Sequence, residues 1–312
     1  MQSLVKLKQA ISNDLNAINH IIHTQLTQTP HPKLSEITHQ LSQQKGKQVR
    51  ASIVVIIAQM SGVSDMSHTH LLAAGIELIH LASLIHDDII DEATHRRNQP
   101  CLHQVHGTNN GIIMGVYCYS MALLLFSKIE NPTIISGISM AVSKLCEGEF
   151  IQVNERHNTA LSEDDYWDIV DKKTSALFVS ACVLTAQLGQ LPSNVTQSLQ
   201  GFGQALGDIF QLADDYLDIY DTENRLSKKV EQDLITGDIS LPIILAAQIG
   251  NTQDQVKIKQ VLIEQSPHIA TKIKHQLYIK KELAETHLNT IPRSFNTQHL
   301  HTLLKTIMNR IQ

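Results

Sequence analysis

The sequence predicts an all-α fold of ten or more helices, and three observations support this prediction. The eight prolines are widely spaced, so long stretches lack the residue that interrupts helices. Apolar residues recur at helical spacing, as from Leu71 to Leu84 and from Phe202 to Ala213. Runs with the alternation typical of a half-buried strand are few. Because none of the predicted breaks between helices is long or low in complexity, we expect residues 1–312 to form a single domain.

Composition narrows the class of protein. Hydrophobic residues make up 42% of the chain and charged residues 18%, an ordinary balance for a globular protein. The net charge of -5 argues against nucleic-acid binding, which usually shows a basic excess. The four cysteines form no CxxC pair, as is typical of reduced thiols in the cytoplasm. The first residues lack the apolar core of a signal peptide, and the most apolar runs are too short to span a bilayer. We therefore expect a cytoplasmic protein with at most peripheral membrane contact.

One aspartate motif occurs twice and is the basis of the functional prediction. It is present as Asp87, Asp88 and Asp91, and again as Asp214, Asp215 and Asp218. On a helix, positions i and i+4 share a face, so two carboxylates of each motif can point into one cavity. Each motif follows an apolar stripe, which predicts that both lie at the ends of core helices. Solvated helix ends are the simpler alternative, but crowded carboxylates without partners repel one another. Carboxylates with no supporting His or Cys pattern suit Mg²⁺, which is often shared with substrate phosphates.

Several basic segments are candidates for binding those phosphates. They are Lys47 with Arg50, Arg96 with Arg97, Lys172 with Lys173, and Lys228 with Lys229. Lys47 and Arg50 are three residues apart, which predicts that they lie on one side of a helix start. Arg binds phosphate through two hydrogen bonds, whereas Lys acts as a point charge. A basic doublet alone is more often solvated surface, so these segments gain weight from the two aspartate motifs beside them.

Together these segments resemble the trans-type polyprenyl diphosphate synthases, and the match runs over most of the chain. The matching segments are GKxxR at residues 46–50, the two aspartate motifs within residues 79–91 and 210–218, EGE with a following Gln at residues 147–152, Lys-Thr at residues 173–174, and DL-x-x-G-x-x-x-LP at residues 233–242. The resemblance implies an isoprenoid-synthase-type bundle around a central cavity, and an enzyme of the long-chain, heptaprenyl or octaprenyl type. It also implies a homodimer.

The resemblance implies a role for each matching residue. The diphosphate of isopentenyl diphosphate would be bound by Lys47, Arg50, His80 and Arg97. The allylic diphosphate, from farnesyl or geranyl diphosphate, would be bound by Arg96, Lys173, Thr174, Gln211 and Lys228. The six motif aspartates would bind magnesium, as three ions with substrate bound, and would form the catalytic set together with Lys173.

The reaction class that follows is electrophilic alkylation. Metal ions and cationic side chains neutralise the allylic diphosphate as it leaves. The double bond of isopentenyl diphosphate attacks the resulting allylic cation, and a proton is then lost. The departing diphosphate is a plausible base, and no side-chain nucleophile is required. Water must be excluded because it would quench the cation, and a deep apolar cavity would do so.

The residues four and five positions before Asp87 predict the product length. In the family, bulky aromatics at these positions block the tunnel, whereas here they are Ser83 and Ala82. A tunnel along residues 71–91 would be about 30 Å long, which corresponds to products of about C30 to C40. Met121, Leu124, Leu125 or Phe126 would form its floor, although core packing is the simpler role for each. A product of this length suits a quinone side chain.

The chain also departs from the family pattern. Asp238 replaces a lysine, Ser227 and Glu231 replace glycines, Val116 stands where a Gly-Asp pair is usual, and Ala51 replaces a proline. These departures leave open a non-catalytic or weakly active prenyl-diphosphate-binding subunit of a heteromeric synthase. A second alternative is an HD-type metal phosphohydrolase, suggested by His86 next to Asp87. A terpene cyclase usually has a different second metal motif and more aromatic residues than 4%.

Overall fold

The structure is a computed structural model that describes residues 6–7, 9–43, 46–96, 99–220 and 236–309, without the side chains of residues 218 and 219. The described residues are almost entirely helical, which confirms the all-α prediction and the expectation of ten or more helices. In chain order the helices are α1 Ser12–Thr27, α2 Pro32–Ser42, α3 Val49–Met60, α4 Ser67–Ile90, α5 Leu102–His106, α6 Thr108–Ser127, α7 Pro132–Asn154, α8 Glu163–Val170, α9 Ala176–Leu188, α10 Ser193–Tyr220, α11 Leu241–Gly250, α12 Gln255–Glu264, α13 Ser266–Asn289 and α14 Gln298–Met308. A π-helical turn, Asp171–Ser175, joins α8 to α9. A short antiparallel hairpin, β1 His95–Arg96 and β2 Gln99–Pro100, follows α4.

Local sequence signals explain where several helices begin. At α8, the Ser162 hydroxyl accepts a hydrogen bond from the Asp165 amide, and the Asp165 carboxylate accepts one from the Ser162 amide. This reciprocal cap satisfies two backbone donors that a helix start leaves unpaired. Asp254 caps α12 by accepting from two backbone amides. Proline occupies the first turn of α2, α11 and α13, where its missing amide proton costs nothing.

The chain forms two compact units. The N-terminal unit comprises the described residues up to 139 together with Ala181–Leu191, and the described part of the C-terminal unit is 140–180, 192–220 and 236–309. Each unit has its own buried apolar residues, taken from the helices within it. The expectation of a single domain stays a prediction.

Helix α4 is the central element of the N-terminal unit. It packs most extensively on α6, and also on α3 and α1. Its apolar residues are buried on several sides, including Leu72, Ile76 and Ile79, as expected for a core helix. The ring of Phe126 from α6 lies against Gly75, where an added Cβ would come within 2.4 Å of the ring. The first aspartate motif is thus at the end of the best-packed helix of its unit.

Helix α10 is the central element of the C-terminal unit. It packs on α13, the π-helical turn, α14, α11 and α8. Phe202, Leu206 and Ile209 are fully buried, which confirms that the predicted apolar stripe faces a core. The second aspartate motif lies in the last two turns of this helix. Both motifs therefore lie at the ends of core helices, as predicted.

Two described helices are long and apolar enough to cross a membrane by length and composition alone, α4 and the stretch Thr108–Phe126 of α6. By length and composition alone, these two helices contradict the expectation that the most apolar runs are too short to span a bilayer. The apolar window of α4 is mostly buried within the protein, as in the core helix of a folded domain. The window of α6 is less buried, because one face of that helix is exposed.

Candidate active site

The first aspartate motif forms the C-terminal end of α4. Asp87 and Asp88 lie in the last turn, and Asp91 is the C-cap residue. The Asp91 amide donates to the Asp87 carbonyl at 2.8 Å, and the Ala93 amide donates to the Asp88 carbonyl at 2.9 Å. This is the negative end of the helix dipole, where each carboxylate costs about 0.3–1 kcal/mol unless a cation offsets it. The local field therefore favours cation binding.

Asp88 already has partners within the protein. It is buried, and its Oδ1 accepts a hydrogen bond from Nε of Arg96 at 2.7 Å. Burial, the charge of Asp88 and a hydrogen bond to its carboxylate raise the pKa of the Cys101 thiol to about 11. Cys101 also donates its backbone amide to the Thr94 carbonyl at 3.0 Å. Asp88 thus ties the hairpin to the helix end, and Arg96 contacts a motif aspartate directly.

The GKxxR segment begins α3 in the same unit. Gln48 is the N-cap residue and has a left-handed backbone, φ 53°, supported by reciprocal amide hydrogen bonds with Asn19. Lys47 precedes the helix, so the prediction that Lys47 and Arg50 share one side of a helix start is wrong for Lys47. Arg50 is buried in the first turn. Their roles in phosphate binding stay predictions.

A hydrogen bond between α3 and α4 fixes the GKxxR segment relative to His80. The Glu77 carboxylate, one turn before His80, accepts a hydrogen bond from the Ala51 amide at 2.9 Å. An acidic side chain stabilises the positive start of α3 and satisfies an amide that the helix leaves unpaired. His80 itself is half-buried. The residues predicted to bind isopentenyl diphosphate are therefore joined by a direct contact between their two helices.

The positions predicted to control product length are buried within α4. Ala82 is fully buried, and the hydroxyl of Ser83, also buried, donates to the His80 carbonyl at 2.9 Å. Phe126 contacts α4 at Gly75, twelve residues before Asp87, which is about 18 Å along the helix axis. Among the residues predicted for a tunnel floor, Phe126 and Leu125 are buried, whereas Leu124 is largely exposed. The exposure of Leu124 argues against a place on an internal floor.

The second aspartate motif includes a carboxylate whose two oxygens both accept hydrogen bonds. The Tyr166 hydroxyl donates to Oδ2 of Asp215 at 2.8 Å, and Nε2 of Gln211 donates to Oδ1 at 2.8 Å. The Thr174 hydroxyl donates to Oε1 of Gln211 at 2.7 Å. Two residues predicted to bind the allylic diphosphate, Thr174 and Gln211, are therefore linked to the motif. Asp214 is half-buried on the same helix.

Close contacts with α7 and α10 fix the position of the π-helical turn that contains Lys173 and Thr174. An added Cβ at Gly148 of α7 would lie 2.6 Å from the Lys173 backbone nitrogen. An added Cβ at Gly207 of α10 would lie 2.6 Å from Cα of Ser175. A π-helical turn inside a helix is uncommon and is often found at functional sites. The glycine of the EGE segment thus has a physical explanation, because only a residue without Cβ allows the turn to approach.

Two ion pairs fix the π-helical turn further. Lys173 pairs with Glu149 of the EGE segment at 2.5 Å. The Ser175 hydroxyl donates to Oδ1 of the buried Asp208 at 2.7 Å, and Lys280 of α13 pairs with Oδ2 of Asp208 at 2.8 Å. The Lys280 ammonium lies 4.1 Å from the centre of the Trp167 ring, within the range of a cation–π interaction. Two partly buried ion pairs therefore contact the segment that contains the Lys-Thr pair.

Asp238, which replaces a family lysine, has a basic partner. Nε of Arg156, which follows α7, donates to Oδ1 of Asp238 at 3.1 Å. The neighbouring His157 amide donates to the Gly237 carbonyl at 2.9 Å. The reversal of charge at position 238 is thus accompanied by a positive charge from another segment.

Some predicted site residues lie outside the described part of the chain. They are Arg97 and Lys228, together with the side chain of Asp218 and the replacements Ser227 and Glu231. Their assigned roles stay predictions.

The described donors fit magnesium better than a metal that needs a complete protein cage. Among the described residues, no three His, Cys, Asp or Glu side chains converge as a metal site. Magnesium is usually held by one or two carboxylates, with water and substrate phosphates completing its shell. The carboxylates at the helix ends meet that requirement, because each aspartate motif needs to supply only some of the oxygen ligands of a magnesium ion.

Three residues that contact this site belong to no sequence motif: Tyr166, Asp208 and Lys280. Tyr166 is seven residues before Lys173, the spacing that returns to the same helix face after two turns. This spacing could have predicted that Tyr166 and Lys173 lie on the same side of a helix. An aromatic residue at helical spacing, however, usually indicates core packing. Nothing local connects Asp208 to Lys280, because they are 72 residues apart.

We predict that Gly148→Ala or Gly207→Ala lowers turnover at this site at least tenfold. The added methyl group would push the π-helical turn away and cost about 1–3 kcal/mol of stability, more than the roughly 1 kcal/mol gained from helix propensity. Steady-state kinetics and thermal unfolding would measure both effects. Ser143→Ala, at an exposed position on α7, is the matched control. Unchanged kinetics in both glycine variants would contradict the close-contact explanation.

Comparison with known proteins agrees with the geometry. The sequence model of the polyprenyl synthetase family matches residues 31–279. Heptaprenyl diphosphate synthase component 2 of Bacillus subtilis is 30% identical, over 98% of this chain and 91% of the relative. Octaprenyl diphosphate synthase of Escherichia coli is 29% identical, over 84% of this chain and 80% of the relative. The crystal structure of a decaprenyl diphosphate synthase from Rhodobacter capsulatus superposes with a TM-score of 0.88 and 25% identity, over 98% of this chain and 99% of that one. The chain belongs to the polyprenyl synthetase family.

Proposed function

We propose that this chain is a long-chain prenyltransferase that condenses isopentenyl diphosphate with an allylic diphosphate, head to tail, to give an all-trans polyprenyl diphosphate. The observation that carries the proposal is the pair of aspartate motifs, each at the end of a core helix, in a chain that matches the family over most of its length. The relatives named above are synthases of heptaprenyl, octaprenyl and decaprenyl diphosphate, which supports a long product.

The phosphohydrolase alternative has no support. It would require His86 as a metal ligand, but the His86 ring lies against α6, where Gly115 leaves space for it. Nε2 of His86 is 3.2 Å from the Ile112 carbonyl oxygen, which fits a hydrogen bond from the ring. His86 therefore has a structural role between two helices. The family match favours chain elongation over phosphate hydrolysis.

We propose that the basic residues divide between the two substrates. Lys47, Arg50 and His80, with Arg97, would hold isopentenyl diphosphate, and the Glu77–Ala51 contact would keep the described members in place. Lys173, Thr174 and Gln211, with Lys228, would hold the allylic diphosphate. Arg96 contacts Asp88, so we propose that it shields that carboxylate as well as binding phosphate.

We propose Mg²⁺ as the cofactor, as three ions when substrate is bound. Bound magnesium would neutralise the negative charge that develops on the leaving diphosphate. Asp87, Asp91, Asp214 and Asp218 would be direct ligands. Asp88 and Asp215 would contribute mainly through their hydrogen-bond partners in the protein.

The reaction forms one carbon–carbon bond and releases one diphosphate. The C–O bond of the allylic diphosphate breaks, and its electron pair leaves with the diphosphate held near Lys173 and Thr174. The double bond of isopentenyl diphosphate then attacks the allylic cation. A proton is lost from C2 of the former isopentenyl unit, with the departed diphosphate as base, and the new double bond forms there. Apolar side chains around the cation would have to exclude water from it.

We further propose a cytoplasmic homodimer. Helix α6 exposes a stripe of apolar residues at helical spacing, formed by Ile112, Ile113, Val116, Leu123 and Leu124. A stripe of this kind is typical of a protein–protein interface. Val116, one of the departures from the family pattern, belongs to this face. The Bacillus subtilis relative is named as a component, so a heteromeric assembly is the competing outcome when oligomeric state is measured.

Incubation of the purified chain with Mg²⁺, farnesyl diphosphate and labelled isopentenyl diphosphate tests the function directly. Chromatography of the products should show all-trans chains of about C30 to C40, the length expected if a tunnel of about 30 Å runs along residues 71–91. Activity that appears only after a second subunit is added would show that the chain is a component of a heteromeric enzyme. Release of phosphate without chain elongation would contradict the proposal.

We predict that Asp87→Ala and Asp214→Ala each lower turnover by orders of magnitude, because each removes a direct magnesium ligand. Neither change should unfold the protein, since both carboxylates are only half-buried. Initial rates and circular dichroism would measure turnover and folding. Glu130→Ala, which removes an exposed carboxylate, is the control. Wild-type turnover in either aspartate variant would exclude the assigned role.

We predict that Ala82→Phe shortens the product, because the ring would fill space beside the growing chain. Ala82 is fully buried, so the larger side chain should also cost about 1–3 kcal/mol of stability. Product chromatography measures the shift, and Leu283→Phe, at an exposed position on α13, is the control. An unchanged product distribution in a folded Ala82→Phe variant would refute the tunnel assignment.

A further inference from the structure

The phenol of Tyr166 is a buried group that no motif explains. Tyr166 lies on α8 with only 4% of its surface exposed, and its hydroxyl donates to Oδ2 of Asp215 at 2.8 Å. The phenol is the donor in this hydrogen bond, because an ionised carboxylate can only accept.

The hydrogen bond from Tyr166 completes a chain of donors that ends on Asp215. Thr174 donates to the Gln211 carbonyl oxygen, and the Gln211 amide donates to Oδ1 of Asp215. Tyr166 donates to the other oxygen, Oδ2. A carboxylate with a strong donor on each oxygen has a fixed orientation, and part of its charge is offset. Because both of its oxygens are held by protein donors, Asp215 is poorly suited to bind a metal ion directly.

We infer that Tyr166 is a positioning residue for the second aspartate motif. By holding Asp215, it fixes the last turns of α10, so that Asp214 is presented to magnesium and Gln211 to the allylic diphosphate. This inference rests on the proposed function, because it concerns the metal and diphosphate of that reaction. Tyr166 itself would touch neither the substrate nor the metal.

Helix α8 has other anchors, so the phenol hydroxyl is not needed to keep it in place. The cap formed by Ser162 and Asp165 fixes its start. Trp167 lies under the Lys280 ammonium, and Lys280 is paired with the buried Asp208. The ring of Tyr166 also packs edge-on against Trp167, with 5.1 Å between the ring centres. Tyr166→Phe keeps all of these contacts and removes only the donor to Asp215.

Tyr166→Phe should lower kcat about tenfold, as expected for the loss of one hydrogen bond to a charged group. The Mg²⁺ concentration for half-maximal activity should rise several-fold, while KM for isopentenyl diphosphate stays unchanged. Calorimetric titration with inorganic pyrophosphate at fixed Mg²⁺ gives a readout that does not depend on turnover, and the affinity should fall to a similar extent. Tyr117→Phe is the matched control. The phenol of Tyr117 donates to the Leu26 carbonyl, and neither residue belongs to an aspartate motif.

A double-mutant cycle tests whether Tyr166 acts through Asp215. Asp215→Asn should reproduce the loss seen in Tyr166→Phe, and the double variant should be no worse than either single one. A loss in Asp215→Asn as large as in Asp214→Asn would show that Asp215 is a direct ligand and would overturn the inference, even if Tyr166→Phe failed to fold. Wild-type kcat and magnesium dependence in folded Tyr166→Phe would also overturn it. Failure of the proposed function would appear differently, as a wild-type protein that makes no elongated product.

Discussion

The function of the two aspartate motifs depends on how their negative charges are balanced. Helices α4 and α10 each end in closely spaced carboxylates, and these lie at the negative end of the helix dipole. Carboxylates in such an arrangement repel one another unless cations or donors offset their charge. The protein supplies such partners to the second aspartate of each motif. Asp88 is bound by Arg96 and Cys101, and Asp215 by Tyr166 and Gln211. Carboxylates at a helix end suit divalent ions that arrive with a diphosphate.

The C-terminal unit shows how the backbone is shaped to serve this chemistry. Glycines on α7 and α10 allow a π-helical turn to lie close to both helices, and the turn contributes the Lys-Thr pair. Asp208 and Lys280, both distant from the motifs in sequence, then fix the turn and α8. Removing Lys280 would leave the buried carboxylate of Asp208 without its cation, so the ion pair is suited to hold one arrangement.

Much of the fold was predictable, because apolar periodicity and proline spacing are local properties of the sequence. The positions of both motifs at helix ends followed from the apolar stripes before them. Side-chain partners were harder to predict, since they depend on contacts between distant segments. The left-handed backbone at Gln48, which removes Lys47 from the helix, is supported by Asn19 from another helix. The partner of Asp238 is likewise Arg156, 82 residues earlier.

Thermal unfolding with magnesium and inorganic pyrophosphate tests most directly whether the helix-end carboxylates bind divalent ions together with a diphosphate. A ligand that binds only the folded protein raises its stability according to its concentration relative to Kd. The melting temperature should rise more with both ligands than the sum of the rises with each alone, because each motif completes the metal shell only in part. An equal rise with pyrophosphate alone, or no rise with both, would contradict the account.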